Sequence, residues 1–209
     1  MRRFINLTIM NLLKSGLLFL LFCLLGNQTH AQKKYPRFDT SIKVGKVGYR
    51  VSCNNKSPER NIANISPIGF DKSIRDFSFE IKGRIHKAEV DDLNRDGYPD
   101  LVFYIFNNDS IPKGNVVAIS SEKNENVAPI IFPDIYDDPK YRIGYKGDDE
   151  FFLLEGSLMR RFPVFRADGD TSATKEPGTL MRQIQYTVVP GEQGTATFKI
   201  LRSFEFQKQ

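Results

Sequence analysis

Leu101-Val102-Phe103-Tyr104-Ile105-Phe106 is apolar at every position, and the reading of the fold turns on it. A strand sends alternate side chains to opposite faces, so six consecutive apolar residues describe a central strand covered on both sides. Segments around it alternate instead. Val47, Tyr49, Val51 and Cys53, then Phe77, Phe79 and Ile81, then Ala196, Phe198 and Ile200 place apolar side chains on every second position, the period of a half-buried strand. Residues 84–90 and 151–154 also read as strands. Turn signals fall between such segments at Asn54-Asn55, Lys82-Gly83, Asp96-Gly97, Glu155-Gly156 and Pro190-Gly191. Helix signals are scarce: a turn or two over 133–141, interrupted by Pro139. The expectation is an all-β fold, a mostly antiparallel β-sandwich with at most short helical turns.

The N-terminus has the three parts of a cleavable signal peptide. Arg2, Arg3 and Lys14 supply the positive region, residues 16–25 the short apolar run, and Ala31 a small residue before the cut. That run is too short to span a bilayer, which takes about 20 apolar residues. The predicted plan is a signal peptide over 1–31, a flexible N-terminal arm over 32–44 broken by Pro36, and a single β-sandwich domain over 45–209. Residues 167–178, rich in Gly, Asp, Thr and Pro, read as a surface loop. The expected location is periplasmic or secreted.

Of 209 residues, removal of the first 31 leaves 178, an ordinary size for one domain. The leader holds three of the 30 basic residues and none of the 25 acidic ones, so 27 basic residues face 25 acidic ones in the remainder. Such a balance gives no electrostatic footprint for nucleic acid, and no membrane contact is expected after cleavage. Cys53 is then the one cysteine, on the apolar side of its strand, and reads as a buried inert thiol. His86 is the one histidine and reads as structural.

The sharpest local motif is Asp92-Leu93-Asn94-Arg95-Asp96-Gly97-Tyr98-Pro99-Asp100. Oxygen-bearing side chains at positions 1, 3, 5 and 9 with glycine at 6 can curl around one hard cation. Calcium is the candidate cofactor, with Asp92, Asn94, Asp96 and Asp100 as side-chain ligands and the Tyr98 carbonyl adding another. The same residues also build a metal-free turn, in which side chains bond to backbone and glycine takes positive φ. Both readings stand at this point.

Other constellations point away from catalysis. Asp148-Asp149-Glu150 reads as a charged cap before the strand at 151–154, because a glycosidase needs a second, separated carboxylate and nothing marks one. Arg160-Arg161-Phe162-Pro163 reads equally as a surface for an acidic partner or as a charged strand edge. No nucleophile motif accompanies His86, and neither a glycine-rich phosphate loop nor a Cys/His zinc cluster occurs. The expectation is a protein that is not an enzyme.

From about residue 45 onward the chain resembles the periplasmic inhibitors of invertebrate-type lysozyme, a family of exported bacterial β-sandwich proteins. The resemblance lies in the strand at 47–53, in Ala88-Glu89-Val90-Asp91-Asp92-Leu93-Asn94-Arg95-Asp96-Gly97-Tyr98-Pro99-Asp100-Leu101, in Arg160-Arg161-Phe162-Pro163, and in the late strand at 182–186. It implies a homodimeric binding protein that pushes a loop into the cleft of a lysozyme-like glycosidase. In that family a short Ser-Gly-x-Tyr element follows the strand after the Asp-rich turn. Here the place is Asn107-Asn108-Asp109-Ser110-Ile111-Pro112-Lys113-Gly114-Asn115, which has Ser110 and Gly114 in a different spacing and lacks the tyrosine.

Lysozymes cut with a pair of carboxylates, so a hydroxyl and an ammonium are suitable donors toward them. Ser110 and Lys113 are the expected donors, Pro112 limits the entropy lost on docking, and Gly114 completes the predicted contact set. The plainer alternative is a hairpin connection whose polar residues face water. The alternative function is a calcium-stabilised structural or adhesive β-module.

Overall fold

The computed structural model describes residues 35–165, 180–191 and 195–208. The predicted signal peptide and the surface loop expected at 167–178 lie outside the described residues.

Twelve strands and one 3-10 turn account for the described fold. Strands β1 (Phe38–Val44), β2 (Val47–Cys53), β3 (Asn61–Ile68) and β4 (Phe77–Ile81) form a four-stranded antiparallel meander in sequence order. The second sheet contains β5 (Arg84–Asp91), β6 (Asp100–Phe106), β7 (Gly114–Glu122), β8 (Asn126–Ile131), β9 (Glu150–Leu154), β10 (Ser157–Pro163), β11 (Leu180–Pro190) and β12 (Ala196–Gln207). Its order is β5-β6-β7-β8-β12-β11-β10-β9. Every pairing is antiparallel except β8 with β12, joined in parallel over Ile130–Ala196 and Ile131–Thr197.

The all-β expectation holds, and the shape of the second sheet differs from a plain sandwich. Eight strands curl until the β9–β10 turn meets β5, where the Gly156 N–H donates to Asp91 Oδ2 at 3.0 Å. The sheet is thus nearly closed and barrel-like. An eight-stranded barrel has room for side chains alone, and here Phe151, Phe162, Tyr186 and Phe198 help to fill it.

Strand β6 explains why two cores exist. Leu101, Phe103 and Ile105 pack toward the first sheet, against Tyr49, Val51, Ala63 and Ile65. Val102 and Tyr104 face the barrel interior, with Phe106 packed at its margin. Each such side chain contributes about 1.5–3 kcal/mol by leaving water. The apolar run therefore does what its pattern predicted, closing two layers with one strand. Cys53 is buried in the first core, and burial pushes its thiol pKa up, the state of an inert thiol.

One boundary needs correction. The predicted arm at 32–44 contains strand β1, paired with β2 from Phe38–Cys53 to Val44–Val47. Only Phe38 and Ile42 of this edge strand are half-buried and the other five residues are exposed, so its apolar pattern is faint. The helical signal at 133–141 resolves to a 3-10 turn, Ile135–Asp137, capped by Asp134, whose side chain accepts from the Tyr136 N–H.

Candidate functional site

Strand β6 carries the Asp-rich turn at its start and the 107–115 segment at its end, so its seven residues hold the two about 20 Å apart. The 107–115 segment joins β6 to β7 and is fastened at its base. The Asn107 N–H donates to the Lys113 carbonyl at 3.2 Å, and Asn107 Oδ1 accepts from the Lys113 N–H at 2.8 Å. Asn107 Nδ2 donates to Asp109 Oδ2 at 2.7 Å. From the neighbouring connection, the Asp148 N–H donates to the Pro112 carbonyl at 2.7 Å. Gly147, with φ of +118°, lets that chain approach, since a Cβ there would stand 2.9 Å from the same carbonyl.

A second clamp comes from the start of the described chain. Tyr35 Oη donates to Asn108 Oδ1 at 3.0 Å, and Arg84 Nη1 reaches the same oxygen at 3.3 Å. The Arg84 guanidinium lies 3.5 Å from the Tyr35 ring centroid, a close cation–π contact. With the backbone held, Ser110 and Ile111 stand exposed at the tip. Lys113 is half-exposed, its ammonium 5.6 Å from the Tyr136 ring centroid. Gly114 belongs to the base: its N–H donates to Asp149 Oδ2 at 2.8 Å, and a Cβ would come within 2.4 Å of the Phe151 ring. Close packing thus fixes it at the foot of the projection.

Beneath the projection lies a group that the sequence reading missed. Along β10, Leu158, Arg160 and Phe162 share the inward face, so a guanidinium enters the barrel. Arg160 and Asp149 side chains are 3% and 0% exposed, and Nε donates to Oδ1 at 2.7 Å. Tyr145 Oη donates to Asp149 Oδ2 at 2.6 Å and accepts from Arg160 Nη2 at 2.9 Å. Rings of Tyr145, Phe151, Phe162 and Phe132 surround the guanidinium at 4.9 to 5.9 Å. Burial pulls the Arg160 pKa down, but the adjoining carboxylate outweighs it and holds the charge. Burial, then the Asp149 charge, pushes the Tyr145 phenol upward, so it stays a neutral donor.

Thus Asp149 is no exposed cap, and Arg160 is neither partner surface nor strand edge. Arg161, the next residue, faces the other way, half-buried and bonded to Gln183 Oε1 at 2.7 Å and Glu150 Oε2 at 3.2 Å. Between the projection and the Ile135–Asp137 turn opens a cleft of about 270 Å³ whose walls include Lys82, Lys113, Asn115 and Tyr136, with Arg160 and Tyr145 reaching into its depth.

At the other end of β6, the Asp-rich side chains are turned onto their own backbone. Asp92 accepts from the Asp96 and Gly97 N–H groups at 3.0 and 2.9 Å, and Asn94 Oδ1 also accepts from the Asp96 N–H at 3.1 Å. Asp96 accepts from the Tyr98 N–H at 2.9 Å and from Asn94 Nδ2 at 2.9 Å. Asp92, Asn94 and Asp96 are therefore tied to one another and to the amides of their own turn. Asp100 serves elsewhere: fully buried, it accepts from the Leu93, Asn94 and Ser121 N–H groups at 3.0, 3.3 and 2.8 Å. Burial pushes its carboxyl pKa up to about 6 against the opposing pull of those amides. Among the described residues, no three Asp, Glu, His or Cys side chains are grouped as a metal would need.

His86 lies on the exposed face of β5, but its ring packs 4.7 Å from Phe106, and the partial loss of water around it, then the Arg84 charge, lowers its pKa. It makes no hydrogen bond to a carboxylate or hydroxyl in the described chain. No protein-family model matches the sequence, and no curated protein matches it either.

Proposed function

We propose that this is an exported, non-enzymatic binding protein that inhibits a lysozyme-like glycosidase by inserting the 107–115 projection into its cleft. One observation carries the reading: the projection's backbone is bonded at its base while Ser110 and Ile111 at its tip are exposed. A loop already held in one conformation loses little entropy on docking, so its tip is suited to recognition. The hydroxyl of Ser110 and the ammonium of Lys113 supply donors of the kind that a pair of enzyme carboxylates accepts. The resemblance adds the expectation of a periplasmic or secreted homodimer.

The test is bacterial cell-suspension clearing by an invertebrate-type lysozyme with the protein in molar excess. The reading expects clearing to slow, and expects Ser110→Ala with Lys113→Ala to restore most of the rate. Unchanged clearing across a panel of lysozymes contradicts it.

A second reading, a calcium-stabilised structural or adhesive module, draws support from the Asp92, Asn94 and Asp96 side chains being gathered within one tight turn. A ligand that binds only the native state raises stability by about 2.7 kcal/mol at one hundred times its Kd. That reading therefore expects millimolar calcium to raise Tm over chelator, and Asp92→Asn to abolish the rise. Equal Tm values in calcium and chelator contradict it.

A further inference from the structure

We infer that the cleft between the projection and the Ile135–Asp137 turn binds a single pyranose ring bearing a carboxylate, an acidic sugar. The inference needs only the cleft and does not depend on the inhibitory reading. At about 270 Å³ the space suits one hexose ring. Lys82, from the turn between β4 and β5, and Lys113, from the projection, both border it. Neither lysine forms a salt bridge with a described residue, and the charged contact of Lys113 is the face of Tyr136.

The nearby acids offset them only in part. Asp149 is bonded to Arg160, Tyr145 and the Gly114 N–H, whereas Asp134, which caps the 3-10 turn through the Tyr136 N–H, also lines the cleft as one carboxylate against the two ammonium groups. Two uncommitted ammonium groups over one small cleft select an anion.

The remaining walls say which anion. Tyr136, 44% exposed, has Lys113 over its ring and packs T-shaped with Tyr145 at 5.5 Å, so the exposed remainder of the ring is where the C–H side of a pyranose can stack. Asn115 accepts from the Val116 N–H through Oδ1, leaving its exposed Nδ2 to donate to a ring hydroxyl. Lysine can grip a phosphate as a point charge, but the free guanidinium fork and free backbone amides that complete many phosphate sites are not offered here. The guanidinium here is already bonded to Asp149 and Tyr145, and the Gly114 amide to Asp149, so the cleft is built for a monoanion with hydroxyls. Because the floor rests on the buried Arg160–Asp149 pair, the walls are fixed before a ligand arrives.

The experiment is amide chemical-shift titration of the full chain with glucuronic acid, glucose and acetate as separate probes. Glucuronic acid is expected to shift Lys113, Asn115 and Tyr136 saturably with a Kd of about 1 mM, and glucose and acetate to bind about tenfold more weakly. Lys82→Ala and Lys113→Ala should each weaken glucuronic acid about threefold or more with the rest of the spectrum unchanged. Tyr136→Ala should remove the preference for glucuronic acid over acetate. No saturable shift up to about 50 mM glucuronic acid overturns the inference, as does equal binding of acetate, which would make the cleft a nonspecific anion trap.

Discussion

The two ends of β6 use the same kinds of residue for opposite purposes. Asn, Asp, Gly and Pro occur in both the Asp-rich turn and the projection. In the turn, side chains bond to backbone amides and are consumed by the architecture, down to the buried Asp100 that ties three N–H groups together. In the projection, the side chains of Asn107 and Asn108 and the backbone bonds to neighbouring segments fasten the base, and the tip side chains of Ser110 and Ile111 are left facing water. Polar composition alone does not separate these cases. Where the bonds go does.

Four substitutions sharpen or break that contrast. The largest effect belongs to the foundation of the projection end: Arg160→Ala should cost about 3–5 kcal/mol in chemical denaturation, because it strands the buried Asp149 charge. A loss below about 1 kcal/mol would mean that the pair is not a structural floor. At the other end, Asp100→Ala should cost roughly 1–3 kcal/mol by leaving three amides without their acceptor. Asn107→Ala should cost about 0.5–1.5 kcal/mol and raise hydrogen exchange across the projection alone, since it removes the bond to the Lys113 N–H. Ser110→Ala should leave stability within about 0.5 kcal/mol of wild type, as an exposed tip residue does. If Ser110→Ala unfolds the protein as readily as Asp100→Ala, the two ends are not functionally distinct.

Much of the fold was legible because burial writes a period into the chain. The unbroken apolar run of β6 announced a strand between two layers, and β2 and β4 appeared as alternations. Strand β1 escaped because an edge strand turns few side chains inward, here Phe38 and Ile42. Closure of the barrel escaped too, since it depends on a two-pair parallel contact of β8 with β12, across some 66 residues of chain, and local patterns carry no trace of such a contact.

The candidate site was half legible. The family resemblance rather than a local pattern singled out Ser110, Lys113 and Gly114; the structure leaves Ser110 exposed and Lys113 half-exposed, and the packing of Gly114 against Phe151 is visible only in it. The Arg160–Asp149 pair left a signal that composition hid: a charge in the inward register between Leu158 and Phe162. Reading Arg160 and Arg161 as one basic patch overlooked that adjacent residues on a strand face opposite ways.

Isothermal titration of the protein into an invertebrate-type lysozyme reads the proposed contact itself. The account predicts a saturable complex, weakened about tenfold or more by Ser110→Ala with Lys113→Ala while Asp92→Asn leaves affinity unchanged. Absence of heat at micromolar concentrations, or equal weakening by the change at the far end of β6, would contradict it.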